Sequence, residues 1–296
     1  MAQWTTESLR RSASHADGFE GEGDRLVSAG ALVDASSAPR RSLHPFGLLI
    51  ESSSDTDLTA VPPEELTRFV ADSKLLVLRG FQSPSTTDLV AYCRRMGEIL
   101  TWDFGEVLDL TVHEDPQNYL FTTGPVPFHW DGAFARLTPR FIVFRCLRAP
   151  DPDSGGETTF CDTARIISAA PAHLRDTWAG VRIDYQTEKI KHYGGHIVQD
   201  LVVPHAVTGV PTLRFAEALD PAEYLNPLFL DIHGVSRNDR EDFLDDLSAR
   251  LYDPSVSYAH AWRSGDVVIA DNHALLHGRR SYSLASSRRL QRIHVI

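Results

Sequence analysis

Large apolar side chains are scarce over residues 1 to about 40, which are rich in Ser, Ala, Gly and charge, and then recur in short runs to the end of the chain. The opening stretch reads as an N-terminal extension with too little to bury to form a core, either disordered or laid over the domain that follows. Leu48-Leu-Ile50 and Leu75-Leu-Val-Leu78 read as strands. Residues 63–72 between them open on Pro-Glu-Glu, which suits the first turn of a helix, and a second helix fits residues 87–96. From Phe141 onward the runs shorten: Phe141-Ile-Val-Phe144, Val181-Arg-Ile183, Ile197-Val198, Leu201-Val-Val203, Leu213-Arg-Phe215, Val267-Val-Ile-Ala270 and a terminal strand with Leu290, Ile293, Val295 and Ile296. Many short strands separated by Gly, Pro and Asp predict a sandwich or jelly roll. Residues 236–251 interrupt them as an amphipathic helix, with Phe243, Leu244, Leu247 and Leu251 on one face and Ser236 as its cap. The expected fold is mainly β with flanking helices (α+β), in one domain over residues 41–296.

At 296 residues the chain can bury a sizeable single core. A net charge of -11, with acidic residues spread along the chain, argues against a nucleic-acid partner, which calls for a basic stripe. Cys93, Cys146 and Cys161 form an odd set without Cys-x-x-Cys spacing, so neither a disulfide framework nor a zinc site is implied, and a reducing cytoplasm is the natural setting. No apolar run approaches the length of a membrane span, and Met-Ala-Gln-Trp-Thr-Thr lacks the core of a signal peptide. The expected partner is a small molecule; the sequence assigns no oligomeric state.

The candidate chemistry lies in Phe128-His-Trp-Asp-Gly132 and, far downstream, in Asp271-Asn-His-Ala-Leu-Leu-His277. Side chains at i and i+2 of a strand share a face, so His129 and Asp131 can reach one ion. With His277 they compose two imidazoles and one carboxylate, a facial set that suits iron(II) and leaves positions open. Structural histidines remain the alternative. His273, four residues before His277, follows Val-Val-Ile-Ala-Asp-Asn and reads as a turn residue. Arg288 and Arg292, an even distance apart in the terminal strand, would share a face, and arginine grips carboxylates through paired bonds; two acids could lie side by side there. Solvated basic residues at a chain end are the bland reading.

The order His129-x-Asp131, Gly155-Gly-Glu-Thr-Thr-Phe160, Asp271-Asn272, His277-Gly278 and Arg288 resembles the TauD/TfdA family of iron(II)- and 2-oxoglutarate-dependent dioxygenases. Phe46-Gly-Leu-Leu-Ile50, Leu76-Val-Leu-Arg-Gly-Phe81, Tyr92-Cys-Arg-Arg-Met-Gly-Glu98 and Tyr258-Ala-His-Ala-Trp-Arg263 are similar to its isonitrile-processing, PvcB/IsnB-type branch. The resemblance implies a double-stranded β-helix (jelly roll, cupin-like) with iron(II) at His129, Asp131 and His277, 2-oxoglutarate as cosubstrate and O2. It implies that Arg288, eleven residues beyond His277, grips the distal carboxylate of 2-oxoglutarate. Thr158 would assist, with Thr159 as its rival. Arg292 would take a substrate carboxylate. Retention of Asp131 argues against halogenation, because related halogenases replace this carboxylate to admit chloride.

Trp102 and Phe104, in a segment that supplies substrate contacts in the family, are expected to wall the pocket, whereas Phe128 reads as core. His192 and Tyr193 suit a pocket loop or a surface loop equally, and Lys191 and His113 are further candidates. The implied reaction is desaturation of an aromatic amino-acid-derived isonitrile (a 2-isocyano-3-arylpropanoate), giving a vinyl isonitrile or an unsaturated acid. A generic hydroxylase of a small carboxylic or sulfonic acid, and a non-catalytic jelly-roll binding protein, are the rivals. The sequence chooses neither between tyrosine and tryptophan as parent nor the fate of the substrate carboxylate.

Overall fold

Neighbouring apolar residues of one strand bury into different cores, which explains why so many runs are continuous rather than alternating. Leu49, Val77, Ile142, Phe144 and Val268 enter one cluster; Ile50, Leu76, Leu78, Val143 and Ile269 enter another. The computed structural model describes residues 38–52, 56–135, 137–188 and 195–296, all within the unit Leu32–Ile296. The extension expected over residues 1–40 lies outside the described residues except for its last three.

The chain first forms β1 (Arg40–Ser42), β2 (Leu48–Glu51), α1 (Pro63–Ser73), β3 (Leu75–Arg79), α2 (Thr86–Met96), β4 (Val107–Leu110) and β5 (Val126–His129). Next come β6 (Phe141–Arg148), β7 (Thr158–Asp162), α3 (Thr163–Ala169), α4 (Ala172–Ala179), β8 (Arg182–Thr187), β9 (His196–Asp200), β10 (Val202–Pro204) and β11 (Pro211–Leu213). The last elements are β12 (Leu228–His233), α5 (Arg240–Leu251), β13 (Ser257–His260), β14 (Val267–Asp271), β15 (Leu275–Arg279) and β16 (Arg289–Val295).

A seven-stranded sheet in the order β1-β2-β3-β14-β6-β16-β4 is joined by a four-stranded sheet, β13-β7-β15-β5. Side chains of both sheets, among them Phe144 and Phe160, meet in one inner core, which is the jelly roll that the strand pattern predicts. Helices α1 and α2 cover the outer face of the large sheet. Helices α3, α4 and α5 and the small sheet β12-β8-β9 cover the outer face of the other, where Phe128 is 1% exposed and belongs to the core.

Some expectations need correction. The run Leu213-Arg-Phe215 is strand only to Leu213; the Arg214 N–H still donates to the Leu201 carbonyl at 2.8 Å, and its guanidinium donates to the Asn272 carbonyl at 2.6 Å. Ser236 does not cap α5 through a backbone N–H; its hydroxyl donates to Asp239 at 2.6 Å ahead of a short 3-10 turn, Arg237–Asp239. All three cysteines are buried and free. Among the described residues no helix is long and apolar enough to cross a membrane.

The edge of the inner core is pinned by a buried carboxylate. Asp266, just ahead of β14, accepts from Arg79 Nε and Nη2 at 2.8 and 2.6 Å and from the Arg263 N–H at 3.0 Å, with His260 Nε2 at 3.1 Å. Burial alone would raise its pKa, but these bonds outweigh burial and bring it down to about 2. A carboxyl depressed on folding stabilises the fold above its unfolded pKa of 3.8 and loses that contribution as pH falls towards 2. Urea midpoints followed from pH 4 to pH 2 should therefore fall more steeply in the native protein than in Asp266→Asn; parallel profiles would refute this.

Candidate metal centre and active site

Antiparallel pairing of β5 with β15 places His129 directly opposite His277, with ring centroids 4.2 Å apart. The ladder slips between His277 and Arg279, and Gly278 permits it: a Cβ there would stand 2.5 Å from the Val126 carbonyl. Asp131 reaches the imidazoles by a different route from the strand alternation predicted for it. Strand β5 ends at His129, and Asp131 lies in the following turn. That turn is held by Asn272, wholly buried, which accepts from the Asp131 N–H at 3.0 Å and donates to the Asp131 and Pro139 carbonyls at 2.9 and 2.8 Å.

One ligand atom from each of His129, Asp131 and His277 falls within 4.8 Å of the others. His129 Nε2 is 3.7 Å from Asp131 Oδ1 and His277 Nε2 is 3.5 Å from Oδ2, too far for strong hydrogen bonds and suited to sharing an ion. His129 Nδ1 lies 2.9 Å from the Pro127 carbonyl, which fixes the proton on Nδ1 and leaves the Nε2 lone pair for a metal. Burial holds both imidazoles below their ordinary pKa, in the neutral form. Burial would raise the Asp131 carboxyl, but the Arg292 guanidinium and the His294 hydrogen bond hold it well below the usual range. Two neutral imidazoles and a carboxylate are what iron(II) requires of such a set.

A buried cation stands beside this triad. Arg288 is 3% exposed and burial lowers its pKa to about 10, yet among the described residues it has no carboxylate partner; its Nε donates to the Gly156 carbonyl at 3.0 Å and its Nη2 to Thr158 Oγ1 at 3.4 Å. A Cβ on Gly156 would press on Arg288 Cδ at 3.0 Å, so glycine allows this approach. Thr158 shares with Arg288, His129 and His277 the lining of a cavity of about 30 Å³, which Thr159 does not line. Arg292 lines this cavity and a larger one of about 160 Å³ walled by Trp102, Trp130, Phe134, Leu219 and Leu228. Simple alternation does not account for the two arginines, because Arg288 precedes β16 and the ladder slips between Arg289 and Leu290. Arg292 is also partly engaged already. Its Nη1 lies 2.9 and 3.2 Å from the two Asp131 oxygens, while its buried Nε has no partner.

Trp102 lines the larger cavity as expected. Phe104 does not: it stacks behind Trp102, with centroids 6.0 Å apart, and is 41% exposed. His113 stacks on Phe121 and lines neither cavity. His192, Tyr193 and Lys191 lie outside the described residues. His294 and Asn272 went unassigned, although His294 could have been found, since it stands two residues beyond Arg292 and so shares its face of β16. A second His-Asp-His group, His205, Asp271 and His273, is not a metal site. His205 Nδ1 accepts the Val207 and Thr208 N–H groups, so its proton is on Nε2, donated to Asp271 at 2.9 Å, and no lone pair remains.

The jelly roll, the two-imidazole, one-carboxylate triad and the unneutralised cation beside it define an iron- and keto-acid-dependent oxygenase. The chain belongs to the taurine catabolism dioxygenase TauD, TfdA family, whose model matches residues 41–294. It is an Fe(II)/2-oxoglutarate-dependent dioxygenase. It is 48% identical over 258 residues to the 3-((Z)-2-isocyanoethenyl)-1H-indole synthase of Fischerella ambigua, covering 86% of this chain and 94% of that one. It is 36% identical to the tyrosine isonitrile desaturase of Erwinia amylovora, over 78% and 80% of the two chains. Among solved structures it is similar to PvcB, an Fe, alpha-ketoglutarate dependent oxygenase from an isonitrile synthetic pathway, with TM-score 0.71, 33% identity, and 84% and 86% of the chains covered.

Because Asn272 alone satisfies the Asp131 N–H and two buried carbonyls, Asn272→Ala should cost about 1–3 kcal/mol in urea unfolding and should weaken iron(II) retention on dialysis. Unchanged stability and retention would show that the turn holds without it.

Proposed function

We propose that the enzyme desaturates a 2-isocyano-3-arylpropanoate in natural-product biosynthesis, and that the aryl group is indole with loss of the substrate carboxylate. Arg292 carries the reading: a buried guanidinium with an unpartnered Nε, on the wall of an apolar cavity that also contains His129 and Asp131. Such a cavity fits an acid with an aromatic body held beside the metal. The indole and the decarboxylation are supported by the 48% relative, whose named product carries an ethenyl isonitrile on indole and no carboxyl group, against 36% for the tyrosine isonitrile desaturase.

His129, Asp131 and His277 would hold iron(II), which with 2-oxoglutarate and O2 supplies an oxidant able to abstract hydrogen. Arg288 and Thr158 hold the distal carboxylate of 2-oxoglutarate, which supplies the counter-charge that Arg288 lacks. The Nε edge of Arg292 takes the substrate carboxylate while Nη1 keeps its bond to Asp131, so the substrate is seated next to the metal ligand. The apolar walls exclude water from the benzylic carbon. Loss of a benzylic hydrogen and of CO2 then leaves the C=C bond, and the two electrons reduce oxygen to water.

Aerobic incubation of tryptophan- and tyrosine-derived isonitrile acids with iron(II) and 2-oxoglutarate should convert the former to the vinyl isonitrile, with succinate formed in step and both lost in His129→Ala. Mass spectrometry distinguishes this from the unsaturated acid; turnover of neither acid would sink the proposal. Arg288→Ala should raise the 2-oxoglutarate KM about tenfold or more, and Arg292→Ala the substrate KM by a similar factor. A loss confined to 2-oxoglutarate affinity in both variants would overturn this division.

A further inference from the structure

We propose that His294, locked in one tautomer by Trp102, is a positioning residue that keeps Asp131 bound to the metal through a single oxygen. The Trp102 indole N–H donates to His294 Nδ1 at 2.8 Å. An indole nitrogen can only donate, so Nδ1 is the acceptor and the ring proton of neutral His294 sits on Nε2. Nε2 lies 2.8 Å from Asp131 Oδ2 and therefore donates to it. Arg292 Nη1 stands 2.9 Å from the same oxygen as an ion pair and donates its hydrogen bond to Oδ1 at 3.2 Å. Oδ2 therefore carries the shortest hydrogen bond to this carboxylate, whereas Oδ1 holds only the longer Arg292 bond and is the oxygen left freer for the ion. His294 is 3% exposed and its ring meets the Trp102 indole edge-on, with centroids 5.3 Å apart.

The consequence concerns how many metal positions stay open. A carboxylate ligating through both oxygens would occupy one of the three positions that 2-oxoglutarate and O2 need. The Trp102-His294 pair prevents this by occupying Oδ2 with a hydrogen bond. The indole of Trp102 thus has its polar edge committed to the metal centre while its ring walls the larger cavity. This inference rests on the metal assignment and is independent of which substrate is used.

The test is an anaerobic titration of the metal-free protein, first with iron(II) and then with 2-oxoglutarate, read by the visible charge-transfer absorption of the iron–keto-acid chelate. Partners that orient metal ligands are typically worth about ten- to a hundredfold in metal affinity. His294→Leu is expected to lose iron(II) affinity in that range and, at saturating iron, to need about tenfold more 2-oxoglutarate to develop the band. His294→Gln, whose amide N–H can replace Nε2–H, should recover most of both, and Trp102→Phe, which keeps a ring but removes the donor, should fall between. Thermal unfolding of each metal-free variant reports the fold separately. Native iron affinity and native chelate absorption in His294→Leu would overturn the proposal. If that variant does not fold, the same native values in Trp102→Phe would overturn it, and a weakened chelate there that His294→Gln does not show would support it. No conversion of any isonitrile would leave these binding readouts intact and would count only against the proposed substrate.

Discussion

Burying a carboxylate costs several kcal/mol unless it is compensated, and Asp131, 8% exposed, is compensated from four directions. Arg292 and His294 approach Oδ2, His277 lies 3.5 Å away, and Asn272 holds its backbone. These four groups come from three parts of the chain: the middle of β15, strand β16 and the turn between β14 and β15. The site therefore exists only when the two sheets are packed against each other. The ionised state of Asp131 and the neutral state of the two imidazoles follow from the same packing, and together they are a metal-ready set.

The sheets divide the work. The smaller supplies both imidazoles through β5 and β15; the larger supplies Arg292 and His294 through β16, with Arg288 at its start. Arg288 faces the imidazoles across the smaller cavity and Arg292 stands where the two cavities share a wall, so two acids can lie on either side of one metal. The guanidinium of Arg292 is bonded to Asp131 and, among the described residues, keeps an unpartnered buried Nε. On the proposed reading, binding of the substrate acid and the setting of the metal ligand are mechanically linked.

Much of this was legible in the chain. Continuous apolar runs such as Phe141-Ile-Val-Phe144 predicted buried strands, and the helices at 63–72 and 87–96 were placed within a residue of their ends. The grouping of His129, Asp131 and His277 was legible because metal chemistry restricts the residue types that can serve. Phe104 was misplaced because an aromatic next to a pocket residue has no sequence mark that separates a wall from its outer support. The route of Asp131 was misread for a related reason: a two-residue spacing predicts a shared face only while the strand continues, and β5 stops at His129.

The sequence by itself determined which chemical groups are present and on which kind of element each is carried, since side-chain type and local periodicity are properties of short segments. Tertiary structure alone decided which nitrogen of His129 and of His294 carries the proton, that Arg288 has no anionic partner among the described residues, and that Arg292 is shared between Asp131 and a cavity. Those facts depend on distances between residues up to 192 positions apart, as for Trp102 and His294. Electrostatic and hydrogen-bond energies fall steeply with distance and are strengthened by exclusion of water. Only the folded arrangement sets either quantity.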